Sequence, residues 1–317
     1  MSVRLLMKAK IAAIEDVAEG IRVFEFHPAD RDRFPSYPAG SHVVLRLRKG
    51  LSRQYSLCGP SSNGETYRIA VKLESQGRGG SAHLHVDNIR SGDHLFLSYP
   101  QPDFSLKPED GSLLLIAGGI GITPIISFAY EACRQGRAVS VHYCVASMEQ
   151  AIFLDELRAL PLDLHIHDSS AGSRADFARI LGQPVEGQGV YCCGSQRLMS
   201  AVADAARHWP QDMVHFEAFA PLDRTSQDTF GERFVADLPR SKHVLDVPAD
   251  RTLLHVLLED GVDLDFSCEA GFCRSCIVDI LEGEIDHRDT CLTPEERKTM
   301  MTPCVSRGRG RIVIASL

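Results

Sequence analysis

Apolar and polar residues alternate in short runs through the first hundred positions of the chain. The runs are IRVFEF at 21–26, HVVLRL at 42–47, TYRIAVKL at 66–73 and HLFLSY at 94–99. Alternation with a period of two indicates strands that bury one face, and Gly, Pro, Asn or Asp residues separate the runs as turns do. The pattern predicts an antiparallel β-barrel or sandwich over residues 1–103.

A different rhythm begins at Ser112, where apolar strands alternate with longer helical segments. The strands are LLLIA (113–117), VSVHYCVA (139–146), LDLHIH (162–167), GVYCC (189–193) and VHFEAF (214–219), and helices are expected through Cys133, over 150–160 and through Ala206. Alternating strands and helices imply a parallel sheet with crossover helices, the architecture of nucleotide-binding domains. We assign residues 104–222 to such an α/β domain.

The remainder of the chain begins with a segment that has no periodicity. PLDRTSQDTFG is rich in turn-forming residues, and we place a linker at 223–231. Paired strands ERFVADL and KHVLDV, a helix over 252–260, a cysteine-bearing loop and final strands CIVDILEGE and RIVIAS follow. These elements predict a compact α+β domain over residues 232–317.

Composition and charge restrict the class of protein. The 317 residues are 24% charged and 44% hydrophobic, with a net charge of −8, and about 150 residues per domain gives two or three domains. No run approaches the roughly 20 apolar residues of a membrane span, and the start MSVRLLMKAK lacks the apolar core of a signal peptide. We expect a cytoplasmic protein without a membrane segment. The negative charge argues against nucleic-acid binding.

The cysteines carry the most specific chemical signal. Five of the ten lie between positions 268 and 304, and Cys268-x4-Cys273-x2-Cys276 followed by Cys304 has the spacing of a plant-type [2Fe-2S] site. Cytoplasmic thiols are more often buried, catalytic or metal-bound than disulfide-bonded. A structural zinc site, the main alternative, usually has two CxxC pairs, and this loop has one. Cys291 is left over, in a segment where Thr293 resembles a helix N-cap.

A glycine-rich turn follows the first strand of the α/β domain. It reads Gly118-Gly119-Ile120-Gly121-Ile122-Thr123-Pro124, and glycines before a helix permit close approach of a pyrophosphate. Pro124 occupies the third glycine position of the usual fingerprint, and the next strand ends at Ser147 without an acidic residue for a ribose. The turn therefore predicts a loosely docked, exchangeable nicotinamide nucleotide, with a purely structural turn as the alternative.

Two segments of the first domain suit a phosphorylated aromatic ligand. Arg53 and Tyr55 share one face of a predicted strand, where a guanidinium can neutralise a phosphate and a phenol ring can stack. The loop GRGGS at 77–81 precedes a short helix and resembles a phosphate cradle. An ordinary strand surface and a flexible hairpin loop are the alternatives.

Together these motifs resemble the phthalate dioxygenase reductase family, to which vanillate O-demethylase reductases also belong. The motifs occur in the family's order and span essentially the whole chain: RQYSL at 53–57, AVK at 70–72, GRGGS at 77–81, GGIGITP at 118–124, YCCG at 191–194, HFEAF at 215–219, CEAGFCRSC at 268–276 and CVSR at 304–307. The resemblance implies an FMN-binding β-barrel, an NAD-binding domain and a plant-type ferredoxin of the β-grasp type. The family often has glycine where this chain has Arg274, so the cluster loop or the partner-facing surface is expected to differ there.

The resemblance also implies roles for individual residues. Flavin would be bound by Arg53, Gln54, Tyr55, Ser56, Ala70, Val71, Lys72, Arg78, Gly79, Gly80 and Ser81. The nicotinamide nucleotide would meet Gly118, Gly119, Gly121 and Thr123, with Cys193 and Gly194 nearby and Phe219 close to the flavin. Iron would be ligated by Cys268, Cys273, Cys276 and Cys304.

The function implied is electron transfer from NADH to FMN, then to the cluster and then to a Rieske-type oxygenase. No acid–base or nucleophilic catalytic residue is expected, because the flavin couples a two-electron donor to a one-electron acceptor. Residues 232–317 hold sixteen acidic and eleven basic side chains, about −5 of the total charge, which suggests a basic docking surface on the partner. The alternatives are a free-standing flavin or ferric reductase, and a zinc-stabilised binding or sensor protein.

Three smaller features have less specific interpretations. His83 and His85, and likewise His165 and His167, are two positions apart, as two metal ligands on one side of a strand would be, but no third ligand is evident in the sequence. Trp209 is expected to pack at a helix end. The pair Cys192–Cys193 is not expected to be redox-active, because neighbouring cysteines form strained bridges.

Overall fold

The computed structural model of the chain describes residues 6–48, 51–60, 64–74, 80–86, 89–102, 104–217, 219, 231–239, 243–262, 264, 266, 271, 276–289 and 292–315. These residues belong to two compact units, one within Val3–Ala218 and the other within Phe219–Leu317. The N-terminal unit holds an antiparallel sheet and a parallel sheet, and the C-terminal unit holds a mixed sheet. Within the described part of the chain, none of the helices has the length and apolarity that crossing a bilayer demands.

The antiparallel sheet is built from the alternating runs of the first hundred residues. Its strands are β1 (Leu6–Ala18), β2 (Ile21–Pro28), β3 (His42–Arg48), β4 (Leu51–Ser56), β5 (Tyr67–Lys72) and β6 (His94–Ser98), and the helix α1 (Gly80–Val86) lies between β5 and β6. Their order is β4-β3-β6-β1-β2-β5. The N–H of Cys58, just after β4, donates to the carbonyl of Arg68 in β5 at 2.9 Å. The two outer strands therefore meet, and the sheet curls into a barrel.

Strands β2 and β5 are buried on both faces, unlike strands that alternate between core and water. Phe24 of β2 and Ile69 of β5 lie in the barrel core. Val23 and Ala70 point the other way, into an apolar cluster shared with the α/β domain. The barrel is thus packed against its neighbour along these two strands.

The parallel sheet confirms the predicted strand–helix alternation. Its strands are β7 (Ser112–Gly118), β8 (Ala138–Val145), β9 (Asp163–Asp168), β10 (Gln188–Cys193) and β11 (Val214–Glu217), in the order β11-β10-β7-β8-β9. The connecting helices are α2 (Ile122–Arg134), α3 (Leu154–Ala159), α4 (Phe177–Ile180) and α5 (Gln196–Ala205). Residues 150–160 are less helical than predicted, because Phe153 takes a left-handed backbone conformation with φ 59° and α3 begins only after it.

Helices cover both faces of this sheet. Residues of α2 and α3, including Ile125 and Leu157, pack on one face against the shared cluster. On the other face, Met199 and Val202 of α5 pack against β7 and β10. Trp209 is 5% exposed and donates its indole N–H to the carbonyl of Leu181 at 2.6 Å, which confirms its predicted packing role.

The C-terminal unit is an α+β domain, as predicted. Its elements are β12 (Phe234–Leu238), β13 (His243–Val247), α6 (Leu253–Glu259), β14 (Val278–Asp286), β15 (Met300–Met301) and β16 (Arg307–Ile314), and the sheet order is β13-β12-β16-β14-β15. Strands β12 and β16 run parallel, whereas the other pairs are antiparallel. The buried residues Leu253, Leu254 and Leu257 of α6 complete its core.

Thr293 and Glu296 form reciprocal hydrogen bonds in this unit. The hydroxyl of Thr293 accepts from the N–H of Glu296 at 3.3 Å, and the carboxylate of Glu296 accepts from the N–H of Thr293 at 2.9 Å. This is the capping-box arrangement. Thr293 thus makes the hydrogen bond expected of a cap, but the predicted helix entry at this residue is wrong, because the segment is a short 3-10 turn at Glu296–Lys298 whose N-cap is Glu295.

Candidate functional site

The barrel brings Arg53 against the start of α1. Gly80 lies so close to the Arg53 side chain that a Cβ at position 80 would stand 2.4 Å from Cγ and 2.8 Å from Nε. The absent side chain of Gly80 is therefore what allows the arginine to lie there. Arg78 and Gly79 fall outside the described residues. The structure joins the RQYSL strand to the end of the GRGGS loop, which the sequence alone could only treat as separate signals.

The side chains that follow Arg53 on β4 are partly or fully buried. The Gln54 amide nitrogen lies 2.9 Å from the His42 ring nitrogen of β3, which fixes the amide. Tyr55 is half-buried, and burial raises the pKa of its phenol, so the ring is neutral at physiological pH. Ser56 is buried at the end of the strand. Such a neutral, partly apolar surface suits an aromatic ring system better than a charged ligand.

Strand β5 and the start of α1 meet beside this surface. Ala70 and Val71 are buried and Lys72 is exposed. The hydroxyl of Ser81 accepts from the backbone N–H of Glu74 at 3.0 Å, which ties the chain after β5 to α1. The described residues predicted to bind flavin therefore lie on β4, on β5 and at the start of α1, and Cys58 and Arg68 hold β4 and β5 together.

Gly118 and Gly121 of the glycine turn fit against the end of β10 and its neighbours with no room for side chains. A Cβ on Gly121 would stand 2.3 Å from the carbonyl oxygen of Cys193, and one on Gly194 would stand 3.0 Å from the Cα of Gly118. Gly119 adopts a left-handed φ of 53°. The glycines at this edge of the sheet thus let the carboxyl ends of β7 and β10 pack closely against each other and against Leu198 of α5. A glycine turn at the carboxyl end of a parallel strand is where a pyrophosphate can approach main-chain N–H groups.

The side chains of Thr123 and Cys193 are buried within this edge. Thr123 is 3% exposed and its hydroxyl donates to the carbonyl of Ile120 at 3.1 Å, so it stabilises the turn. Cys193 is fully buried, and burial, with a smaller effect of Glu217, raises the pKa of its thiol well above the usual value. Burial likewise raises the pKa of Cys192. Both thiols are neutral, and Cys193 faces the turn with its carbonyl oxygen.

Two acidic residues that were not predicted from the sequence lie near this edge, Asp168 at the end of β9 and Glu149 in the turn after β8. Asp168 ends β9 and lies opposite Val145 of β8, and its carboxylate accepts hydrogen bonds from the Ser170 hydroxyl at 2.7 Å and the Ser170 N–H at 2.8 Å. These bonds lower the pKa of Asp168, and a hydrogen bond from the Ser147 hydroxyl lowers the pKa of Glu149. Two charged carboxylates therefore stand where β8 itself offers none.

Two of the predicted cluster ligands are described, and both are buried in the same apolar core. Cys276 and Cys304 are 3% and 2% exposed. Gly271, which lies between Cys268 and Cys273 in sequence, has φ 73°, and a Cβ there would stand 2.5 Å from a methyl group of Val305. The cysteine loop thus packs against the residue next to Cys304. Cys268 and Cys273 lie outside the described residues.

A buried carboxylate supports the turn that carries Cys304. The N–H groups of Val305 and Ser306 both donate to the carbonyl of Thr302, at 3.2 and 3.0 Å. Asp289, 4% exposed, accepts from the Ser306 hydroxyl at 3.4 Å and from the N–H of Leu292 at 2.9 Å. The backbone around Cys304 is therefore fixed from both sides. Phe219, in contrast, belongs to the C-terminal unit and is 43% exposed.

The predicted histidine pairs have different outcomes. His83 and His85 lie on α1, not on a strand, and residues two apart on a helix face different directions, so the one-sided arrangement is wrong for them. His165 and His167 do lie on β9, and His142 of β8 is a neighbour that the sequence missed, with ring nitrogens of His142 and His167 3.0 Å apart. Among the residues that the structure describes, no group of three or more His, Cys, Asp or Glu is arranged to hold a metal ion.

Comparison with known protein families finds two matching domains in the chain. Residues 8–105 match the family described as an oxidoreductase FAD-binding domain. Residues 237–307 match the family described as a 2Fe-2S iron-sulfur cluster binding domain. The first match covers the antiparallel sheet, and the second covers Cys268, Cys273, Cys276 and Cys304.

Full-length relatives agree with the two domain matches. Phthalate dioxygenase reductase of Burkholderia cepacia is 36% identical, over 98% of this chain and 97% of that protein. The heme-dependent oxidative N-demethylase beta subunit of Ectopseudomonas mendocina is 36% identical, over 98% and 99% of the two chains. A solved structure of phthalate dioxygenase reductase, described as modular for electron transfer from pyridine nucleotides to [2Fe-2S], is similar with a TM-score of 0.75 and 35% identity over 98% of both chains.

Proposed function

Since the chain belongs to the phthalate dioxygenase reductase family, we propose that it transfers electrons from NADH, through FMN and a [2Fe-2S] cluster, to a Rieske-type oxygenase. Membership establishes the coarser statement, that the protein is an oxidoreductase with flavin-binding and 2Fe-2S domains and the reductase component of an oxygenase system. The proposal assigns residues 1–103 to flavin, 104–222 to the nucleotide and 232–317 to the cluster, with a linker at 223–231. The expected compartment is the cytoplasm.

The contact between Gly271 and Val305 carries the proposal. It sets the loop of closely spaced cysteines against the neighbour of the distant one, with two of the thiols in an apolar core. Thiolates are the ligands that iron–sulfur clusters require, and an apolar surrounding protects a cluster from water. Cys268, Cys273, Cys276 and Cys304 would hold the cluster. A free-standing flavin reductase has no use for this arrangement.

The barrel residues fit a flavin with a phosphate. Arg53, held against Gly80, would neutralise the phosphate together with Arg78, and Gly79 and Ser81 would donate hydrogen bonds to it. Gln54, Tyr55, Ser56, Ala70, Val71 and Lys72 would line the ring. A bound flavin accepts a hydride and releases electrons singly, which couples NADH to a one-electron acceptor. FMN is proposed over FAD from the resemblance to the family.

The closely packed glycine edge formed by Gly118, Gly121 and Gly194 supports an exchangeable nicotinamide nucleotide, and Gly119, Thr123 and Cys193 complete it. Phe219 is proposed to approach the flavin, as the resemblance implies. Asp168 and Glu149 support NADH rather than NADPH, because two carboxylates at the ribose edge repel a 2′-phosphate.

The Rieske-type partner is proposed from the resemblance to the family. One relative is named as a subunit of a heme-dependent N-demethylase, so a haem oxygenase is the competing partner class. The acidic C-terminal domain suits a basic docking surface in either case.

The experiment that tests the proposal combines cofactor analysis with partner reconstitution. Acid-released flavin is expected to be FMN, and the protein is expected to contain two irons and two acid-labile sulfides per chain. With NADH it should support turnover by an oxygenase encoded beside it that shows Rieske absorbance. FAD in the acid extract contradicts the FMN assignment, a colourless zinc protein contradicts the whole proposal, and a haem spectrum in the partner contradicts the Rieske assignment.

A further inference from the structure

Arg68 of the barrel and Glu156 of the α/β domain form a two-pronged ion pair. Nη1 of Arg68 lies 2.9 Å from Oε1 of Glu156, and Nη2 lies 2.7 Å from Oε2. The side chains are 20% and 30% exposed, so the pair is largely shielded from water. Parallel N–H···O bonds of this kind fix the angle between the groups as well as their distance.

Both partners are held by further contacts. Nε of Arg68 donates to the carbonyl of Cys58 at 2.7 Å, at the place where β4 and β5 meet. The hydroxyl of Tyr130, on α2, donates to Glu156 at 2.5 Å. Burial, with a smaller effect of Glu156, raises the pKa of Tyr130 to about 12, so its hydroxyl remains a donor. The network therefore connects the seam of the barrel to two helices of the neighbouring domain.

Phe153 completes this network through an unfavourable backbone conformation. Its ring lies under the guanidinium of Arg68, and Cζ of Arg68 is 4.7 Å from the ring centroid. Among the residues that the structure describes, Phe153 is the non-glycine residue with positive φ, at 59°. A bulky residue keeps a left-handed conformation only where its surroundings enforce it. The chain before α3 is thus shaped to place an aromatic ring against Arg68.

The remaining contacts at this seam are mostly apolar. Val23 and Ala70 of the barrel lie in one cluster with Ile122 and Ile125 of α2. Apolar burial is non-directional, so it holds two surfaces together without fixing their rotation. The Ser127 hydroxyl of α2 adds a single hydrogen bond to the carbonyl of Gly59 at 3.3 Å. The Arg68–Glu156 pair adds the two-pronged contact, which also fixes the angle between the domains.

We propose that Arg68 and Glu156 are a positioning pair that sets the distance between the nicotinamide and the flavin for hydride transfer. This inference rests on the proposed function. Arg68 stands two residues before Ala70, where β5 begins to line the proposed flavin site, and Glu156 belongs to the domain that carries the glycine turn. Hydride transfer requires the reacting atoms about 3–3.5 Å apart, and a displacement of about 1 Å can slow a reaction about a hundredfold.

The test measures flavin reduction after rapid anaerobic mixing of the holoprotein with NADH. Glu156→Gln removes the charge but keeps the shape, Arg68→Lys keeps the charge but loses the fork, and Tyr130→Phe removes only the hydroxyl. Asp155→Asn is the matched control, because Asp155 lies on the same helix, is fully exposed and pairs with the partly exposed Arg158. Rates are normalised to bound flavin.

At saturating NADH, Glu156→Gln and Arg68→Lys are expected to reduce flavin about 10- to 100-fold more slowly, with the apparent Kd for NADH within about threefold of wild type. The double variant should be no slower than the slower single variant, because the residues act as one unit. Asp155→Asn should match wild type. If Arg68→Lys does not fold, Tyr130→Phe carries the test with a loss of about 3- to 10-fold.

Wild-type rates in folded, flavin-replete variants would overturn the positioning role, as would an effect confined to the Kd for NADH or to thermal stability. If NADH fails to reduce the flavin of the wild-type protein, the result is a different one. It contradicts the proposed function itself, and the positioning role with it. The ratio of variant to wild-type rates separates the two failures.

Discussion

Gly121 and the carbonyl of Cys193 are in such close contact that a Cβ on Gly121 would stand 2.3 Å from the oxygen. The same Cβ would stand 2.8 Å from the backbone nitrogen of Gly194, so main-chain atoms, which cannot rotate aside, block it. The glycine turn and the end of β10 are therefore a single fitted edge.

Gly121→Ala is expected to lower the free energy of unfolding by about 1–3 kcal/mol, because the clash forces the turn and β10 apart. The KM for NADH should rise about tenfold, since losing one good hydrogen bond to a phosphate corresponds to about 1.4 kcal/mol. Urea unfolding and steady-state kinetics measure both. Gly111→Ala is the control, because its Cβ would meet only an ordinary 3.6 Å contact, and equal effects of the two changes would contradict this account.

The carboxylates of Asp168 and Glu149 are expected to select against NADPH. The double change Asp168→Asn and Glu149→Gln should lower the preference for NADH, expressed as the ratio of kcat/KM values, by about thirtyfold, because each change removes about 1 kcal/mol of repulsion. Asp163→Asn, an exposed position at the opposite end of β9, is the control. An unchanged ratio in the double variant would show that the ribose lies elsewhere.

Gly271→Ala is expected to destabilise the cluster. The new methyl would meet Val305 at 2.5 Å and the Asp289 Cα at 3.0 Å, in addition to the cost of φ 73°. Gly261→Ala shares the second effect but not the first, because its φ is 84° and nothing lies within 4 Å of the new Cβ. Iron and sulfide analysis should show cluster loss in the first variant only, with flavin retained in both. Equal iron content in the two variants would rule out the fitted contact.

The histidines of β8 and β9 predict an acid-sensitive contribution to stability. Burial, and then the neighbouring His165 and His167, lower the pKa of His142 to about 4 against the opposing effect of Asp163, and the pKa of His167 is also lowered. The folded state keeps His142 neutral, whereas the unfolded chain takes up a proton near its usual pKa of about 6.5. Stability from this group is thus present above pH about 6.5 and is lost as the pH falls toward about 4.

The free energy of unfolding should therefore fall by about 1–2 kcal/mol less in His142→Gln than in wild type when the pH is lowered from about 7 to about 4.5. This figure includes an allowance for partial solvent screening. Chemical denaturation at the two pH values measures the difference. His94→Gln, an exposed histidine of β6, should behave as wild type. A pH dependence of His142→Gln identical to that of wild type would contradict the assignment.

The sequence was sufficient for the element types and for motifs that are local. Alternation predicted the barrel strands, and strand–turn–helix order predicted the parallel sheet, because burial on one face and crossover connections leave a periodic trace. The helix expected over 150–160 was too long because the left-handed Phe153 depends on its contact with Arg68, which is remote in sequence.

Features that depend on strand order could not be found in this way. Asp168 reaches the edge of β8, and His142 meets His165 and His167, only because β8 and β9 pair in one particular register. The contact of Gly271 with Val305 and the pair Arg68–Glu156 likewise join distant segments. Charged or small residues at strand ends and in loops were the available signals, but they do not identify their partners.

Anaerobic titration with NADH, followed by absorbance, tests the central claim most directly. A flavin that takes two electrons and a cluster that takes one should consume about 1.5 equivalents of NADH per chain, with both the flavin band near about 450 nm and the cluster absorbance bleached. Cys304→Ser should lower the requirement to about one equivalent by removing the cluster. A titration of the wild-type protein that is complete at one equivalent of NADH, or an absorbance that does not respond to NADH, would contradict the account.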